Sequence, residues 1–441
     1  MIVVPDNAPR PPGDLWQRIR LGFKVPDLET RLVDERVRWY VAQPEYFSRM
    51  ANRSSRYLFF IVEEIERRGM PTELALLPFV ESAFVPEALS TASAAGLWQF
   101  IPSTGRNYAL EQNMWKDERR DVVESTRAAL DYLQKLYDMF GDWHLALASY
   151  NWGEGAVSRA IAKNQRAGKP ARYTDLQMPI ETRNYVPKLQ AIKNIVADPR
   201  KYSVVLPPID DAPYFIAVHK TRDIDVQTAA ALAEMKVEDF RALNPAFNRP
   251  VILGAGGGAQ LLLPANKVER FQANLAAWES TGQPLASWTT YKTTASDTLS
   301  ALAKRVGISE DQLREANRIP PRYRLGAGST ILIPRDETMA ADIPAESLRG
   351  SFALVPEQAN LRKITYRVRR GETVTSIAQR WKVFPKDVIL WNRLTSPTLF
   401  AGQRLELTVP AAQAKSSKKS TSRQPSSQST LRVPKKSNRP H

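Results

Sequence analysis

Two stretches toward the C-terminal end repeat each other at a constant offset of 75 residues, which confines that part of the chain to small supersecondary units. Aligning Tyr291 with Tyr366 brings Asp297-Thr298-Leu299 onto Glu372-Thr373-Val374, Leu302-Ala303 onto Ile377-Ala378 and Asn317-Arg318 onto Asn392-Arg393. Each copy closes with a glycine, an apolar run and a proline: GSTILIP from Gly328 and GQRLELTVP from Gly402. The pattern predicts strand, helix, helix, strand in under 50 residues per copy. A worn third copy runs from Phe215 to Pro264, where LAEMKVEDFRALN and AQLLLP keep the second helix, the Asn and the final strand. Its GAGGG lacks the last glycine of a dinucleotide fingerprint and runs into a strand, so a phosphate loop is set aside.

The first half has another texture. From Asp14 to Arg68 apolar residues recur at amphipathic helical spacing, and Gly69 stands where a helix should stop. Further helices are expected from Val122 to Phe140, with Leu130, Leu133 and Leu136 packing inward, from Trp143 into SYNWGEG, and from Glu181 to Val196. Pro86 and the small residues up to Gly96 predict a loop leading to a helix near Leu97 or Ser103. Strand signals are nearly absent, so an all-α domain ending near Pro199 is expected.

Within that half, PTELALLPFVESAF from Pro71 to Phe84 puts Glu81 on one helical stripe with Leu74, Leu77 and Phe84. A carboxylate therefore points where the core should be. Pro71 suits a first helical turn, and Pro78 predicts a kink just before the acid. From this stretch alone two readings stand: a functional acid, or a buried glutamate satisfied by an arginine or a backbone amide.

Composition narrows the chemistry. There is no cysteine, and the three histidines, His144, His219 and His441, are far apart, which removes disulfides and thiolate chemistry and gives a metal site or a Ser-His-Asp triad no footing. Carboxylate chemistry with no cofactor and no metal is the expectation. The net charge of +16 calls for an acidic partner, whether nucleic acid, anionic membrane or anionic cell wall. Half of the excess lies in Ala411 to His441, with eight Lys or Arg and no acid, a tail expected to be disordered; specific nucleic-acid recognition is not expected. No run reaches the roughly 18 apolar residues of a membrane span. The opening MIVVPDNAPRPPG has no secretory signal, which taken literally means the cytoplasm.

The repeats resemble LysM domains, βααβ modules that bind N-acetylglucosamine-containing glycans, on YRVRRGETVTSIAQRW, VILWNRL and the closing GQRLEL. The first half resembles the soluble-type lytic transglycosylases: Glu81-Ser82 matches their catalytic pair, GLWQF from Gly96 their Gly-Leu-Met-Gln-Phe, SYNWGEG from Ser149 their Ala-Tyr-Asn, and ETRNYV from Glu181 their late tyrosine motif. The resemblance implies a multidomain chain, with an all-α lysozyme-like catalytic domain followed by small βααβ LysM modules. It also implies that Glu81 acts first as acid and then as base, with no second carboxylate. Ser82, Gln99 and Asn151 are expected to read acetamido and hydroxyl groups, and Tyr150 and Tyr185 to reach Glu81 or the sugar. Trp98, which replaces the usual Met, is expected to offer a flat face to a sugar ring; Phe100 and Trp152 stack there or pack in the core. In the LysM units the implied glycan groove nominates Asp297, Thr298 and Leu299, and Gly371, Glu372, Thr373 and Val374 with Leu399 and Phe400.

The expected division is 1–70 as a helical lead-in packed on the catalytic domain, 71–205 as the catalytic domain, 213–266 as a degenerate LysM-like module, 288–335 and 364–410 as LysM modules, and 411–441 as a basic tail. Peptidoglycan strands are the expected partner of a monomer, in the periplasm or cell envelope by resemblance. Alternatives are a hydrolytic muramidase of the same fold, in which Glu87 could be the second carboxylate, and a non-catalytic wall-binding scaffold. Glu118, Asp121 and Glu124 are expected to face solvent or cap a helix, and Glu154 to start one.

Overall fold

Short polar caps and glycines set the helix ends in the first half. In a computed structural model that describes residues 13–255, 258–344, 347, 352–356, 361–381, 383, 385–392, 394 and 398–410, the order is α1 (Leu15–Leu21), α2 (Arg31–Val41), α3 (Pro44–Ser54), α4 (Leu58–Arg67), a 3-10 turn (Thr72–Leu76), α5 (Leu77–Glu81), α6 (Pro102–Asn107), α7 (Val122–Phe140), α8 (Trp143–Trp152), α9 (Glu154–Arg166), α10 (Ile180–Arg183) and α11 (Tyr185–Ala197). The Asp121 side chain caps α7 by accepting from the Val123 and Glu124 N–H groups, and Gly141 ends it in the left-handed conformation. Asp142 caps α8 through the Leu145 N–H. Trp16, Phe47, Leu58 and Ile61 from the first helices share one buried core with Leu74, Leu130, Leu133, Leu136 and Ile192, so the lead-in is part of the same fold.

Three local expectations change. The kinked helix before Glu81 is a 3-10 turn followed by a five-residue α-helix, with Pro78 in its first turn, where its missing N–H costs nothing. Residues 97–100 form a turn and the helix starts at Pro102; the expected Glu181–Val196 helix breaks at Asn184 into α10 and α11. The basic tail lies outside the described residues.

The chain divides into two compact units, Met1–Ile319 with Leu325–Ala353, and Pro320–Arg324 with Leu354–His441. In the first unit the worn copy comprises β1 (Phe215–Lys220), β2 (Ile224–Asp225), α12 (Val226–Leu232), α13 (Val237–Leu243), β3 (Val251–Ile252) and β4 (Ala259–Pro264), followed by α14 (Val268–Ser280). The next copy comprises β5 (Trp288–Lys292), α15 (Leu299–Arg305), α16 (Glu310–Asn317), β6 (Tyr323–Leu325), whose Tyr323 and Arg324 count with the second unit, and β7 (Thr330–Pro334). The second unit holds β8 (Leu354–Pro356), β9 (Leu361–Arg367), α17 (Val374–Trp381), α18 (Pro385–Trp391) and β10 (Arg404–Pro410). First and last strands pair antiparallel in each copy, as β1 with β4, β5 with β7 and β9 with β10.

One asparagine closes every module in the same way. Asn244, Asn317 and Asn392 each donate to a carbonyl one turn back on the second helix and to a carbonyl of the closing strand (Leu262, Leu332, Glu406), and each accepts that strand residue's N–H. The worn copy is therefore a true member of the set by its hydrogen bonds. What it lacks is a polar staple. Tyr366 and Arg380 both bond Glu372; Tyr291 bonds Asp297, and Arg305 lies 4.6 Å from the centre of the Tyr291 ring. In strand register the worn copy has Val218 at the tyrosine's position, and β2 pairs with β3 instead, Ile224 opposite Ile252.

Replacing Asn244 by Ala should destabilise the first unit by about 2–4 kcal/mol, because it leaves the buried Leu262 N–H and C=O without partners. A urea midpoint unchanged from the parent would contradict this role.

Candidate active site

Glu81 is the last residue of α5, and its side chain stands against Tyr185 at the start of α11, whose hydroxyl donates to its Oε1. The residue keeps partial access to solvent while Leu74, Leu77, Phe79 and Phe84 around it on the chain are buried. Burial pushes the carboxyl up to about 7; the Tyr185 hydrogen bond and the Lys188 charge pull it down, and the Glu181 charge adds to the rise. The Tyr150 and Tyr185 phenols are raised well above their ordinary value, first by burial and then by the Glu81 charge, so both remain neutral donors.

A second glutamate of the same stretch shows the other option. Glu73 is buried and accepts from the Lys24 and Val25 N–H groups at 2.9 Å each, with the Lys193 ammonium at 3.1 Å. The structural reading drawn from the sequence is realised by Glu73. Among the described residues, Glu81 is given one hydrogen-bond partner, a phenol.

The loop facing Glu81 is stitched through its backbone. Ser82 Oγ donates to Leu97 O (2.9 Å) and Pro78 O (3.2 Å), Tyr150 to Trp98 O (2.9 Å), and Arg119 to Ser93 O (2.7 Å) and Phe100 O (3.1 Å). Gly96 has φ +85°, and a Cβ there would stand 1.9 Å from Arg119 O, so this position of GLWQF admits only glycine. Gln99, at φ +51°, donates to Gly96 O (2.9 Å) and Ala88 O (3.3 Å). Asn151 Oδ1 accepts from Thr182 (2.8 Å), which orients its amide.

The structure thus joins Glu81 to Tyr185, and Ser82, Gln99 and Tyr150 to one loop, while Asn151 is held by Thr182 instead. It corrects Trp98: the indole is wholly buried, its Nε1–H donating to Thr126 Oγ1 at 3.0 Å, so it presents no face to a sugar. Phe100 is buried against Tyr108 and Tyr150. Ser82 is spent on the loop carbonyls. Asp121 is a helix cap whose carboxyl burial raises to about 6, and Glu154 starts α9 while bonding Tyr132 and Lys135. Thr182 and Lys188 are the residues that motif reading passed over; their nearness to Tyr185 in ETRNYVPK was the available signal.

In the repeats, Asp297 and Glu372 serve as internal staples and Thr298 caps α15, while Leu299 and Val374 are buried. Thr373 Oγ1 accepts the Ser376 N–H, and Gly371 turns with φ +81°. Phe400 is 72 % exposed beside the half-buried Leu399, which leaves an apolar ring on the module surface.

Comparison with known proteins follows the same division. The Transglycosylase SLT domain model matches residues 59–172, the model of the LysM-like domain of lytic transglycosylase MltD matches 214–280, and the LysM domain matches 291–334 and 366–408. Membrane-bound lytic murein transglycosylase D of Escherichia coli K12 is 37% identical over 409 residues, covering 90% of this chain and 86% of that protein. A putative tributyltin chloride resistance protein of Alteromonas is 44% identical over 119 residues, 27% of this chain and 58% of that protein. Membrane-bound lytic murein transglycosylase C of Glaesserella parasuis is 30% identical over 136 residues, 28% of this chain and 37% of that protein.

A carboxyl raised from 4.5 to about 7 stabilises the fold least where it must ionise. Its protonated form is fully compatible with the fold below pH 4.5, and stability is lost as pH rises from there to about 7. Glu81→Gln should therefore gain stability over the parent across that window, by up to about 2 kcal/mol after allowance for solvent contact, and the gain should level off above it. Melting curves of both proteins from pH 4 to 8 measure it; a constant difference would rule out the raised carboxyl.

Proposed function

This chain belongs to the membrane-bound lytic murein transglycosylase D family, and from that premise we propose that Glu81 carries both proton transfers of a non-hydrolytic cut in peptidoglycan. The protonated carboxyl gives its proton to the oxygen bridging C1 of N-acetylmuramic acid and C4 of N-acetylglucosamine, and the C1–O bond breaks. The C6 hydroxyl oxygen of the same muramyl residue bonds to C1, and its proton returns to the Glu81 carboxylate. No water is consumed, and the product is a 1,6-anhydro-N-acetylmuramyl end. The internal hydroxyl competes with water through the effective concentration that its own ring provides.

The observation that carries this reading is the Glu81 carboxyl itself, desolvated, raised to about 7, and given one phenolic donor. Such a group keeps its proton in about half of the molecules at neutrality and can release and recover it. Tyr185 supports the carboxylate in the ionised step, and Tyr150, Gln99 and Asn151 position the sugar through the loop and through their own amides. Residues 71–205, with the described part of the lead-in, 13–70, packed on them, form the catalytic domain, and the modules at 288–335 and 364–410 hold glycan weakly, gaining from tandem presentation on a repeating polymer. We place the chain at the cell envelope, acting as a single copy. Its E. coli relative is named membrane-bound, and no helix among the described residues is long and apolar enough to cross a membrane.

Mass spectrometry of digested murein should find anhydro ends from the parent protein and a loss of about a thousandfold or more in rate for Glu81→Gln. The parent kcat should fall as pH rises through about 7, when the acid is lost. Reducing ends in place of anhydro ends would make the protein a hydrolytic muramidase, and lysis by Glu81→Gln at the parent rate would remove Glu81 from the chemistry.

A further inference from the structure

Arg120 and Arg318 come from distant parts of the first unit, yet both donate to one acceptor, Asn248 Oδ1; the Arg318 bond is 2.8 Å. Two cations bonded to the same atom lie within roughly 6 Å of each other. No carboxylate among the described residues is within ion-pairing distance of either; Asp117 and Glu87 act on Arg120, and Glu87 on Arg318, through charge at longer range. Asp117, three residues before Arg120, is held by Arg119 in a two-pronged pair at 2.7 and 2.9 Å. Arg249, beside Asn248 in the chain, is buried, bonds Met114 O, and leaves Nη1 without a partner. Burial holds both Arg120 and Arg318 below the ordinary guanidinium value, and the charges of Arg120 and Arg241 add to the lowering at Arg318.

The arrangement is built. Asn248 is fixed by its own amide, which donates to Asn113 O at 3.0 Å, and its backbone N–H donates to Trp115 O at 2.7 Å. Arg318 occupies the left-handed position after α16, where glycine would sit at less cost, and it remains reachable by solvent. The cluster also adjoins the catalytic loop. The Arg120 Cα would be 3.1 Å from a Cβ on Gly96, and Gly96 N–H and Gln99 both bond Ala88 O. Glu87, next to Ala88, is six residues past Glu81 and within roughly 20 Å of it by chain length.

We propose that Arg120 and Arg318, bridged by Asn248, form a subsite for a carboxylate of the peptidoglycan strand flanking the cut. The inference rests on the reading of this chain as a peptidoglycan-cleaving enzyme. Peptidoglycan offers carboxylates from two sources, the muramyl lactyl group where the peptide has been removed and the stem peptide where it is present. A paired guanidinium site recognises either through charge-assisted hydrogen bonds. Glu87 stands in electrostatic range of both arginines without pairing with them.

The test compares the full chain with Arg318→Gln and Arg318→Lys on soluble glycan strands, native or with their carboxyl groups converted to amides. Arg318→Gln is expected to raise KM about 5-fold on native strands with kcat unchanged, to have no effect on amidated strands, and to keep the parent melting midpoint. Arg318→Lys should recover most of the affinity. An equal change on both substrates, or no change on native strands, overturns the subsite while leaving the catalytic reading intact. A parent protein that forms no anhydro ends on either substrate overturns that reading itself. Strands stripped of peptide by an amidase separate the sources: an effect retained there assigns the lactyl carboxylate, and an effect lost assigns the stem peptide.

Discussion

The desolvation of one carboxyl group is the condition on which the rest of this molecule depends. Glu73 and Glu81 sit eight residues apart in one stretch and both are turned toward the core, but their partners differ completely. Glu73 receives two backbone N–H groups and an ammonium, which hold the chain at Lys24 and Val25 against α11. Glu81 receives one neutral phenol. An acid so supplied is a poor structural element and a good proton donor, because the environment that penalises its charge also keeps its proton available near neutrality.

Keeping that acid in place falls to the opposite loop, which is held by side chains reaching its carbonyls. Ser82, Tyr150 and Arg119 tie down Ser93, Leu97, Trp98 and Phe100 by their backbone oxygens, and Gly96 lets the loop lie directly on Arg119. The motif residues thus divide into two kinds. Glu81 and Tyr185 bond each other, and others, Trp98 among them, hold the loop.

Much of this was legible in the sequence and the remainder was not, for identifiable reasons. Helix ends marked by Asp121, Gly141 and Asp142 could be read because capping is local. The repeats could be read because the same Asn closes each module, and that Asn survives even where the loop residues have drifted. Local signals failed where distant groups decide. Pro78 kinks a long helix but simply begins a short one, and the Ile19 carbonyl that accepts from Thr72 lies more than fifty residues upstream. Trp98 reads as a sugar platform until Thr126 claims its N–H. Asp297 and Glu372 look like ligand contacts, but a tyrosine six residues earlier claims each of them. The convergence of Arg120 and Arg318 on Asn248 spans some two hundred residues and no periodicity records it.

The antiparallel pairing of first and last strands has a mechanical consequence for a protein that works on a load-bearing polymer. In the copy built on β5 and β7 Trp288 pairs with Pro334, and in the one built on β9 and β10 Leu361 pairs with Pro410, so each module's chain enters and leaves side by side. A pull along the backbone then loads these ladders one rung at a time from the open end, as a zipper opens, and never shears all rungs together. The first firm stop on that path is the asparagine clamp, bonded across the strand at Leu332 or Glu406.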